Sequence, residues 1–391
     1  MLKIQTIDKI SSEGLKRFPY DDYEIASEFS SPDAILVRSS KLHEMNFPTT
    51  LKAIARAGAG VNNIPLDKCS DQGIVVFNTP GANANAVKEL VLTGMLLSSR
   101  KIVQGINWSK SIEAGEEEIG KQVEKNKSNF KGPEIQGKTL GVIGLGAIGM
   151  LVANAADALG MKVIGYDPYI SVDTAWSLSS NVKKAISLDN LLSKADYITL
   201  HVPLLDATKG FINESKFAIM KDGVRIMNFA RGGLEKQADM LAALDSGKVE
   251  AFVTDFPDEQ YLVHEKVICL PHLGASTPES ESNCAVMAVD QVREYLENGN
   301  IKNSVNFPNC EMPRNGGYRI VIANKNVPNM VGQISSVLAS ENINIEDMIN
   351  KHRDGLAFNI IDVNSAVCEE QAEKLRNIEG VIMARILSPK K

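Results

Sequence analysis

Three side chains with complementary chemistry follow strand-like apolar runs in this 391-residue sequence: Arg231 after the run 224–229, Glu259 after the run 250–254, and His272 after the run 267–270. A guanidinium can hold a carboxylate and polarise a neighbouring carbonyl oxygen through paired hydrogen bonds. An imidazole can take a proton near neutral pH, and a carboxylate beside it stabilises the imidazolium. Each residue alone could be an ordinary surface or loop side chain. As a set, the three suit hydride transfer from a 2-hydroxy acid.

The run 139–149, TLGVIGLGAIG, predicts a dinucleotide-binding turn between a strand and a helix. An apolar stretch of strand length ends in the pattern G-x-G-x-x-G, and a helical apolar pattern follows. Gly144 permits the tight turn, Gly146 lets the backbone approach a pyrophosphate, and Gly149 lets the helix pack closely on the strand. The free N–H groups at the helix N-terminus would hold the phosphates.

A second apolar run, 162–166, ends on Asp167, and Pro168 follows it. A carboxylate at the end of the second strand accepts hydrogen bonds from the ribose hydroxyls of the adenosine half, and it would repel a 2′-phosphate. A glycine pattern alone could be an ordinary tight turn, but strand, turn, helix, second strand and acid occur here in order. The sequence therefore predicts NAD as the cofactor in preference to NADP.

The composition is that of a globular protein with two or three domains: 44% of residues are hydrophobic, 23% are charged, and the formal net charge is −6. The net negative charge argues against general nucleic-acid binding, and no run is long and apolar enough to cross a bilayer. The first residues resemble no signal peptide. The five cysteines form no C-x-x-C pair, which predicts reduced thiols, a cytoplasmic location and no metal site: Cys69, Cys269, Cys284, Cys310 and Cys368.

The remaining patterns predict the fold class. Further strands are expected at 34–37, 52–57, 74–77 and 197–202, with helices at 84–99 and from Thr277 to about residue 297. The prolines and glycines of 307–317 predict a linker, and 318–391 has the order strand, helix, strand, strand, helix, strand. We predict an α/β protein with two doubly wound parallel-sheet domains and a small C-terminal ferredoxin-like α+β domain.

Five ordered motifs make the sequence similar to the D-isomer-specific 2-hydroxyacid dehydrogenases: GLGAIG at 144–149, Asp167, HVPL at 201–204, NFARGG at 228–233 and PHLGAST at 271–277. The resemblance covers essentially residues 1–310. It implies a substrate domain formed by 1–98 and 277–306, with a Rossmann NAD domain, 99–276, inserted between the two pieces. It also implies that Arg231, Glu259 and His272 are the catalytic arginine, glutamate and histidine.

The resemblance further implies a set of cofactor-binding residues: Gly144, Gly146, Ala147, Ile148, Gly149, Asp167, Val202, Pro203, Thr208, Asn228, Ala230, Asp255 and Gly274. The sequence departs from the family pattern at one of them. The family often places its nicotinamide-side aspartate two residues before a phenylalanine, whereas Asp255 comes immediately before Phe256.

Residues 318–387 resemble an ACT domain, an amino-acid-binding module fused to members of the family that oxidise phosphoglycerate. The substrate implied is D-3-phosphoglycerate, oxidised to 3-phosphohydroxypyruvate in the first step of L-serine biosynthesis. The substrate-binding residues would be Arg38, Ser39, Arg56, Ala59, Gly60 and Asn83, with the two arginines as a phosphate clamp. L-Serine as an effector would contact Asn324, Asn326 and Asn344, although Asn329 stands where the family usually has glycine. A homodimer or homotetramer is expected.

Three alternatives stay open at this point. The substrate could be another 2-hydroxy acid, such as D-lactate or D-glycerate. The chain could be an NAD(H)-sensing regulator without catalysis, although a sensor needs only the cofactor site and not the set Arg231, Glu259 and His272. The C-terminal domain could be a dimerisation module without a ligand.

Overall fold

The computed structural model describes residues 1–113 and 118–389, and within them the chain forms three β-sheets of five, seven and four strands. The chain divides into two compact units, one of Met1–Ala82 with Pro278–Lys391 and the other of Asn83–Thr277. The last two residues of the predicted C-terminal domain, 390 and 391, lie outside the described residues. No helix of the described residues has the length and apolar character that a membrane span requires.

The first 82 residues form a parallel sheet. Its elements are β1 (Leu2–Thr6), α1 (Ser12–Leu15), β2 (Tyr23–Ala26), β3 (Ala34–Val37), β4 (Ala53–Arg56), α2 (Leu66–Asp71) and β5 (Val75–Phe77), with the strand order β2-β1-β3-β4-β5. All residues of β3 and β5 are buried, as expected for strands covered on both faces. The sequence predicts β3, β4 and β5 but misses β1 and β2, whose residues are only partly buried at several positions.

The unit Asn83–Thr277 is built on the second parallel sheet, with the strand order β12-β11-β10-β9-β6-β7-β8. Its elements are α3 (Ala84–Arg100), α4 (Ile102–Lys110), α5 (Ile119–Asn126), a 3₁₀ helix (Lys127–Phe130), β6 (Thr139–Ile143), α6 (Ala147–Ala158), β7 (Lys162–Tyr166), α7 (Val172–Ser177), β8 (Lys183–Lys184), α8 (Leu188–Leu192), β9 (Tyr197–Leu200), α9 (Glu214–Ile219), β10 (Val224–Asn228), α10 (Gln237–Asp245), β11 (Val249–Thr254), α11 (Glu259–Val263) and β12 (Val267–Cys269). The strand order reverses where β6 lies between β9 and β7. Open α/β sheets bind their ligands at the carboxyl ends of strands at such a point.

Helix α3 packs within this second unit. Its residues Val87, Val91 and Met95 are buried in one hydrophobic cluster with Phe229 and Val253. The predicted domain boundary between residues 98 and 99, which would assign most of α3 to the substrate domain, stays a prediction.

The remainder of the first unit consists of α12 (Pro278–Asn298) and a C-terminal module. The elements of the module are β13 (Tyr318–Lys325), α13 (Met330–Ser340), β14 (Ile345–Arg353), β15 (Leu356–Val363), α14 (Glu369–Arg376) and β16 (Val381–Leu387). Its antiparallel sheet has the order β14-β15-β13-β16. The predicted fold class, two doubly wound parallel sheets and a small ferredoxin-like α+β module, is therefore confirmed.

Three arginines join the C-terminal module to the end of α12. Arg385 donates to the backbone oxygens of residues 295 (2.7 Å) and 296 (3.4 Å), Arg314 to that of residue 297 (2.8 Å), and Arg319 to that of residue 298 (2.9 Å). The last four carbonyl groups of a helix have no partner within the helix, and cations are favourable at that end. The C-terminal module and the segment that precedes it therefore supply hydrogen-bond donors to the last carbonyl groups of α12.

The segment 307–317, predicted as a linker, contains no helix or strand, yet it is not a loose connection. Phe307, Cys310 and Met312 are buried in the same hydrophobic cluster as Tyr295 of α12 and Phe358 of β15. The segment thus contributes to the core of the first unit.

Candidate active site

The glycine turn after β6 has the local geometry that its three glycines require. Gly144 has a φ of +90°, and a Cβ there would lie 2.6 Å from the backbone oxygen of His201. A Cβ on Gly149 would lie 1.9 Å from the backbone oxygen of Gly144. Gly146, the N-cap of α6, differs, because beyond its two chain neighbours no described atom lies within 4 Å of a Cβ built on it. The space beside the free N–H groups of the helix therefore fits a phosphate-bearing ligand.

Asp167 lies at the carboxyl end of β7, next to the same turn. One oxygen of its carboxylate accepts a hydrogen bond from the backbone N–H of Leu145 (2.8 Å), and the other accepts one from the backbone N–H of Tyr169 (2.8 Å). The side chain is half-buried. The predicted ribose-binding acid thus stands beside the predicted phosphate-binding turn.

Val202, Pro203 and Thr208 lie on the loop that follows β9. The hydroxyl of Thr208 donates to the backbone oxygen of Pro203 (2.6 Å) and accepts from the backbone N–H of Leu205 (2.8 Å). These bonds close the loop on itself. That Val202, Pro203 and Thr208 contact the cofactor stays a prediction.

Asn228 shapes the loop that carries Arg231. Its side-chain oxygen accepts from the backbone N–H groups of Ala230 (3.1 Å) and Arg231 (3.4 Å), and its amide nitrogen donates to the backbone oxygen of Arg231 (2.8 Å). Asn228 is fully buried, whereas the side chain of Arg231 is exposed and donates to the backbone oxygen of Ala230 (2.7 Å). Asn228 therefore fixes the backbone of the loop, while the guanidinium of Arg231 lies at the surface.

Phe256 packs against both the Arg231 loop and the His272 loop. Its ring meets the imidazole of His272 edge-on, with the ring centroids 5.0 Å apart. A Cβ built on Gly232 would lie 3.3 Å from the Cβ of Phe256. His272 itself is exposed. Two of the three predicted catalytic side chains thus come from loops that share one aromatic support.

Asp255 is 1% exposed, and neither oxygen of its carboxylate forms a well-aligned hydrogen bond with a described residue. Burial raises the pKa of Asp255, and the charges of His272 and Arg231, with the nearby backbone N–H groups of Asp255 and Gly274, act in the opposite direction. A buried carboxylate with no well-aligned partner is costly, so the site fits a ligand that donates hydrogen bonds, as the carboxamide of nicotinamide does. Gly274, another predicted cofactor residue, lies beside this carboxylate.

Glu259 is the exposed first residue of α11. In the described part of the chain, no hydrogen bond or ion pair joins Glu259 to His272. The structure thus places Arg231, Asp255 and His272 close together, while the pairing of Glu259 with the histidine stays a prediction.

Sequence reasoning misses Asp8, which organises the loop of the predicted substrate residues Arg38 and Ser39. Its carboxylate accepts the backbone N–H groups of Arg38 (2.6 Å), Ser39 (2.9 Å) and Ser40 (3.1 Å) and the hydroxyl of Ser40 (2.6 Å). Burial alone would raise the pKa of Asp8, but these hydrogen bonds outweigh burial and lower the pKa to about 2. The signal in the sequence is an acid just after a strand, but that strand, β1, is itself one that the sequence reading misses.

The two arginines of the predicted phosphate clamp have protein partners. Arg56 donates to the backbone oxygens of Arg38 (2.8 Å) and Gly60, so it holds two loops together. The guanidinium of Arg38 forms an ion pair with Glu281 (2.7 Å), and both side chains are about two-fifths exposed, at 40% and 45%. That Arg38 and Arg56 together bind a phosphate stays a prediction.

Two further predicted substrate residues lie at loop and helix ends. The backbone oxygen of Ala59 accepts from the side chain of Asn78 (2.6 Å), and Asn83 is the residue before α3 in the second unit. Across the described residues, no cluster of three or more His, Cys, Asp or Glu side chains could hold a metal ion.

The predicted effector residues differ in environment. Asn324 is buried, donates to the backbone oxygen of Lys325 (2.7 Å) and accepts from Asn359 (2.7 Å), so its amide is used within the sheet. Asn326 and Asn344 are exposed. Asn329 has a φ of +66°, the left-handed conformation that glycine adopts without strain.

Comparison with known proteins relates the part of the chain that carries this site to a family. Residues 93–274 match the model described as "D-isomer specific 2-hydroxyacid dehydrogenase, NAD binding domain". The chain is 34% identical over 335 residues to D-3-phosphoglycerate dehydrogenase of Methanocaldococcus jannaschii, which covers 83% of this chain and 61% of the relative. It is 38% identical over 283 residues to the Sus scrofa protein of the same name, with coverages of 69% and 50%. The chain thus spans 50–61% of the length of these curated relatives.

A solved structure described as cofactor(NAD+) bound 3-phosphoglycerate dehydrogenase in Entamoeba histolytica is similar in fold. The TM-score is 0.60 at 26% identity, and the match covers 78% of this chain and 98% of that one. The cofactor of the matched domain is NAD, as the sequence predicts. Residues 93–274 of this chain are therefore similar to the NAD-binding domain of the D-isomer-specific 2-hydroxyacid dehydrogenases.

Proposed function

We propose that this chain oxidises D-3-phosphoglycerate to 3-phosphohydroxypyruvate with NAD, the first step of L-serine biosynthesis. The observation that carries the proposal is the meeting of Arg231, Asp255 and His272 around Phe256, at the carboxyl ends of β10, β11 and β12. Relatives named D-3-phosphoglycerate dehydrogenase, at 34% and 38% identity, support this choice of substrate.

The chemistry divides among the named side chains. NAD, when bound, supplies the acceptor for the hydride. Arg231 binds the substrate carboxylate and polarises the oxygen on the neighbouring carbon through charge-assisted hydrogen bonds. His272 takes the proton of the hydroxyl group as a general base, and Glu259 stabilises the resulting imidazolium. The exposed positions of Arg231 and His272 support these roles.

Further proposals concern organisation and regulation. We propose a substrate domain of 1–98 and 277–306, an NAD domain of 99–276, a linker of 307–317 and an ACT domain of 318–391. The strand and helix order of the C-terminal module supports the ACT assignment. L-Serine is the effector that we propose for this domain. A homodimer or homotetramer in the cytoplasm completes the proposal.

A second candidate function is the oxidation of a 2-hydroxy acid without a phosphate, such as D-lactate or D-glycerate. The observation that favours it is that both cations of the predicted phosphate clamp already have protein partners, Arg38 with Glu281 and Arg56 with two backbone oxygens. A phosphate would have to compete with these partners.

The test is the steady-state rate of NADH formation by the full chain with D-3-phosphoglycerate, D-glycerate, D-lactate and their L-enantiomers, with and without L-serine. The proposal expects the highest kcat/KM for D-3-phosphoglycerate and little activity with the L-enantiomers. A higher kcat/KM for D-lactate or D-glycerate would support the second candidate. Binding of NADH without turnover of any acid would support an NAD(H)-sensing regulator.

A further inference from the structure

A buried acid, Glu235, lies close to the loop that carries Arg231. Only 6% of the residue is exposed, and the neighbouring Leu234 is fully buried. One oxygen of its carboxylate accepts a hydrogen bond from the side-chain amide of Asn228 (2.8 Å), and the other accepts one from the hydroxyl of Tyr261 (3.4 Å). Burial raises the pKa of Glu235, and both hydrogen bonds oppose that effect.

A carboxyl group is energetically unfavourable at this buried position. Burial of the carboxyl group costs free energy that its hydrogen bonds offset only in part. With an apolar side chain of similar volume at such a position, a protein is often at least as stable. A residue placed here for stability alone would resemble Leu234. The two hydrogen bonds of Glu235 therefore indicate a geometric role.

The first bond fixes the orientation of Asn228. The amide group of Asn228 donates to Glu235 and to the backbone oxygen of Arg231, and its oxygen accepts the N–H groups of Ala230 and Arg231. A rotated amide would present its nitrogen to those two N–H groups and lose both bonds. Since Glu235 accepts from the nitrogen, it selects the orientation that holds the Arg231 backbone.

The second bond reaches α11, the helix that begins with Glu259. Tyr261 is 3% exposed, and its ring packs edge-on against Phe252 of β11. The N-cap Asp258 accepts the N–H group of Tyr261 (2.9 Å), so the tyrosine is fixed at the start of the helix. Glu235 thus connects the Arg231 loop with the first turn of the helix that presents Glu259.

We propose that Glu235 is a positioning residue. Through its hydrogen bond with Asn228, it holds the loop that carries Arg231 in the conformation that binds a substrate carboxylate. Through its hydrogen bond with Tyr261, it fixes the position of that loop relative to α11. The inference rests on the proposed function of Arg231 as the carboxylate-binding group. Loosening the loop raises the KM for the hydroxy acid, whereas loss of stability alone reduces the folded fraction and leaves KM unchanged.

The test compares full-length variants of Glu235. Glu235→Leu removes the acceptor, Glu235→Asp retracts it by one methylene while keeping the charge, and Glu235→Gln keeps an oxygen for Asn228. The control is Asp196→Leu, because Asp196 is an acid of the same unit whose carboxylate accepts a hydrogen bond, from the backbone N–H of Thr139 (2.8 Å), at the amino end of the sheet. Each variant is measured for KM with D-3-phosphoglycerate, for the urea midpoint, and for the affinity of the NADH-loaded protein for oxalate by calorimetry.

We expect Glu235→Leu to raise both KM and the oxalate Kd by about tenfold or more, since one buried charged acceptor is lost. Glu235→Asp should give a smaller rise, and Glu235→Gln should stay within about threefold of wild type because its amide oxygen replaces the acceptor. Asp196→Leu should lower the urea midpoint and leave KM and Kd within about twofold, as a change remote from the loop does.

The proposal is overturned if folded Glu235→Leu or Glu235→Asp keeps the wild-type KM and oxalate Kd, or if Glu235→Gln is as impaired as Glu235→Leu. If Glu235→Leu does not fold, the Asp and Gln variants carry the comparison. A wild-type chain that oxidises no 2-hydroxy acid but binds oxalate would reject the proposed function, while the oxalate data still decide the role of Glu235. A wild-type chain that binds no oxalate would overturn both.

Discussion

The carboxylate of Asp167 accepts a hydrogen bond from the backbone N–H of Leu145 at 2.8 Å, which connects the end of β7 to the glycine turn after β6. Leu145 stands between Gly144 and Gly146, so a negative charge is held beside the turn that would bind the phosphates of the cofactor. This bond fixes the acid that is predicted to discriminate between the two nicotinamide cofactors.

We therefore expect wild type to prefer NAD over NADP by about a hundredfold or more in kcat/KM, because two like charges about 4 Å apart near a protein surface repel by roughly 4 kcal/mol. Asp167→Ser should reduce this ratio at least tenfold. The control is Asp173→Ser, which removes an acid from the first turn of α7. Similar efficiencies of wild type with NAD and NADP would contradict the assignment of Asp167.

Gly146→Ala and Gly149→Ala should separate ligand binding from folding. A methyl group on Gly149 would meet the backbone of Gly144, so that variant should lose about 1–3 kcal/mol or more in the free energy of unfolding. A methyl group on Gly146 meets no described atom, so that variant should keep its stability within about 0.5 kcal/mol but bind NADH at least about tenfold more weakly.

Urea unfolding and NADH fluorescence titration measure the two effects. Gly120→Ala is the control, because Gly120 lies on α5 and also has open space around it. Unchanged NADH affinity in Gly146→Ala would mean that the open space at Gly146 does not receive the cofactor.

The sequence is sufficient to locate the glycine turn and Asp167, because both belong to a short stretch of chain and each lies at the end of one strand. Asp8 and Glu235 are different. Their roles arise from hydrogen bonds to residues 38–40 and to Asn228 and Tyr261, and these partners are specified by which strands lie side by side. Strand β1, which brings Asp8 to its loop, is too irregularly buried to be recognised from its pattern.

The pairing of side chains is equally hard to read from spacing. The positions of Arg231, Glu259 and His272 after successive strands predict that they gather at one edge of the sheet. Side-chain direction is decided by local contacts, and here the ring of Phe256 holds His272 while Glu259 lies exposed at the start of α11. The sequence therefore predicts that these residues gather, but it does not predict which side chains are in contact.

His272→Ala should lower kcat by about 10²–10⁴-fold, the usual contribution of a general base. NADH affinity should stay within about threefold of wild type, because in the proposed mechanism the imidazole acts on the substrate. His352→Ala is the control, since His352 is an exposed histidine on β14. A loss of less than tenfold in kcat for His272→Ala would point to another base.

Asp8→Ala should destabilise the chain in a pH-dependent manner. The folded pKa of Asp8 is about 2, below its ordinary value of 3.8, so the unfolded state binds more protons between these values. The stabilisation by Asp8 is therefore complete above about pH 5 and is lost as the pH falls toward 2.

Urea unfolding of wild type and Asp8→Ala at pH 7, 4 and 3 tests the direction of this pH dependence. The difference in the free energy of unfolding should be largest at pH 7, slightly smaller at pH 4 and clearly smaller at pH 3. A difference that grows on acidification would mean that the carboxylate is not the form that the N–H groups of residues 38–40 stabilise.

Arg38 offers the sharpest test of the substrate. If Arg38 binds the phosphate, Arg38→Ala should raise the KM for D-3-phosphoglycerate by about tenfold to a hundredfold, because a charge-assisted hydrogen bond is worth roughly 1.5–3 kcal/mol. Residual activity with D-lactate should change by less than about twofold, since lactate has no phosphate to lose.

Glu281→Gln is the matched variant, because it removes the ion-pair partner of Arg38 and leaves the guanidinium in place. It should leave the KM for D-3-phosphoglycerate unchanged or lower it, since the phosphate then competes with no carboxylate. Equal damage by Arg38→Ala to both substrates would make Arg38 a structural residue. A rise in KM with Glu281→Gln as large as that with Arg38→Ala would show that the ion pair itself, and not a phosphate contact, is what the substrate loop needs.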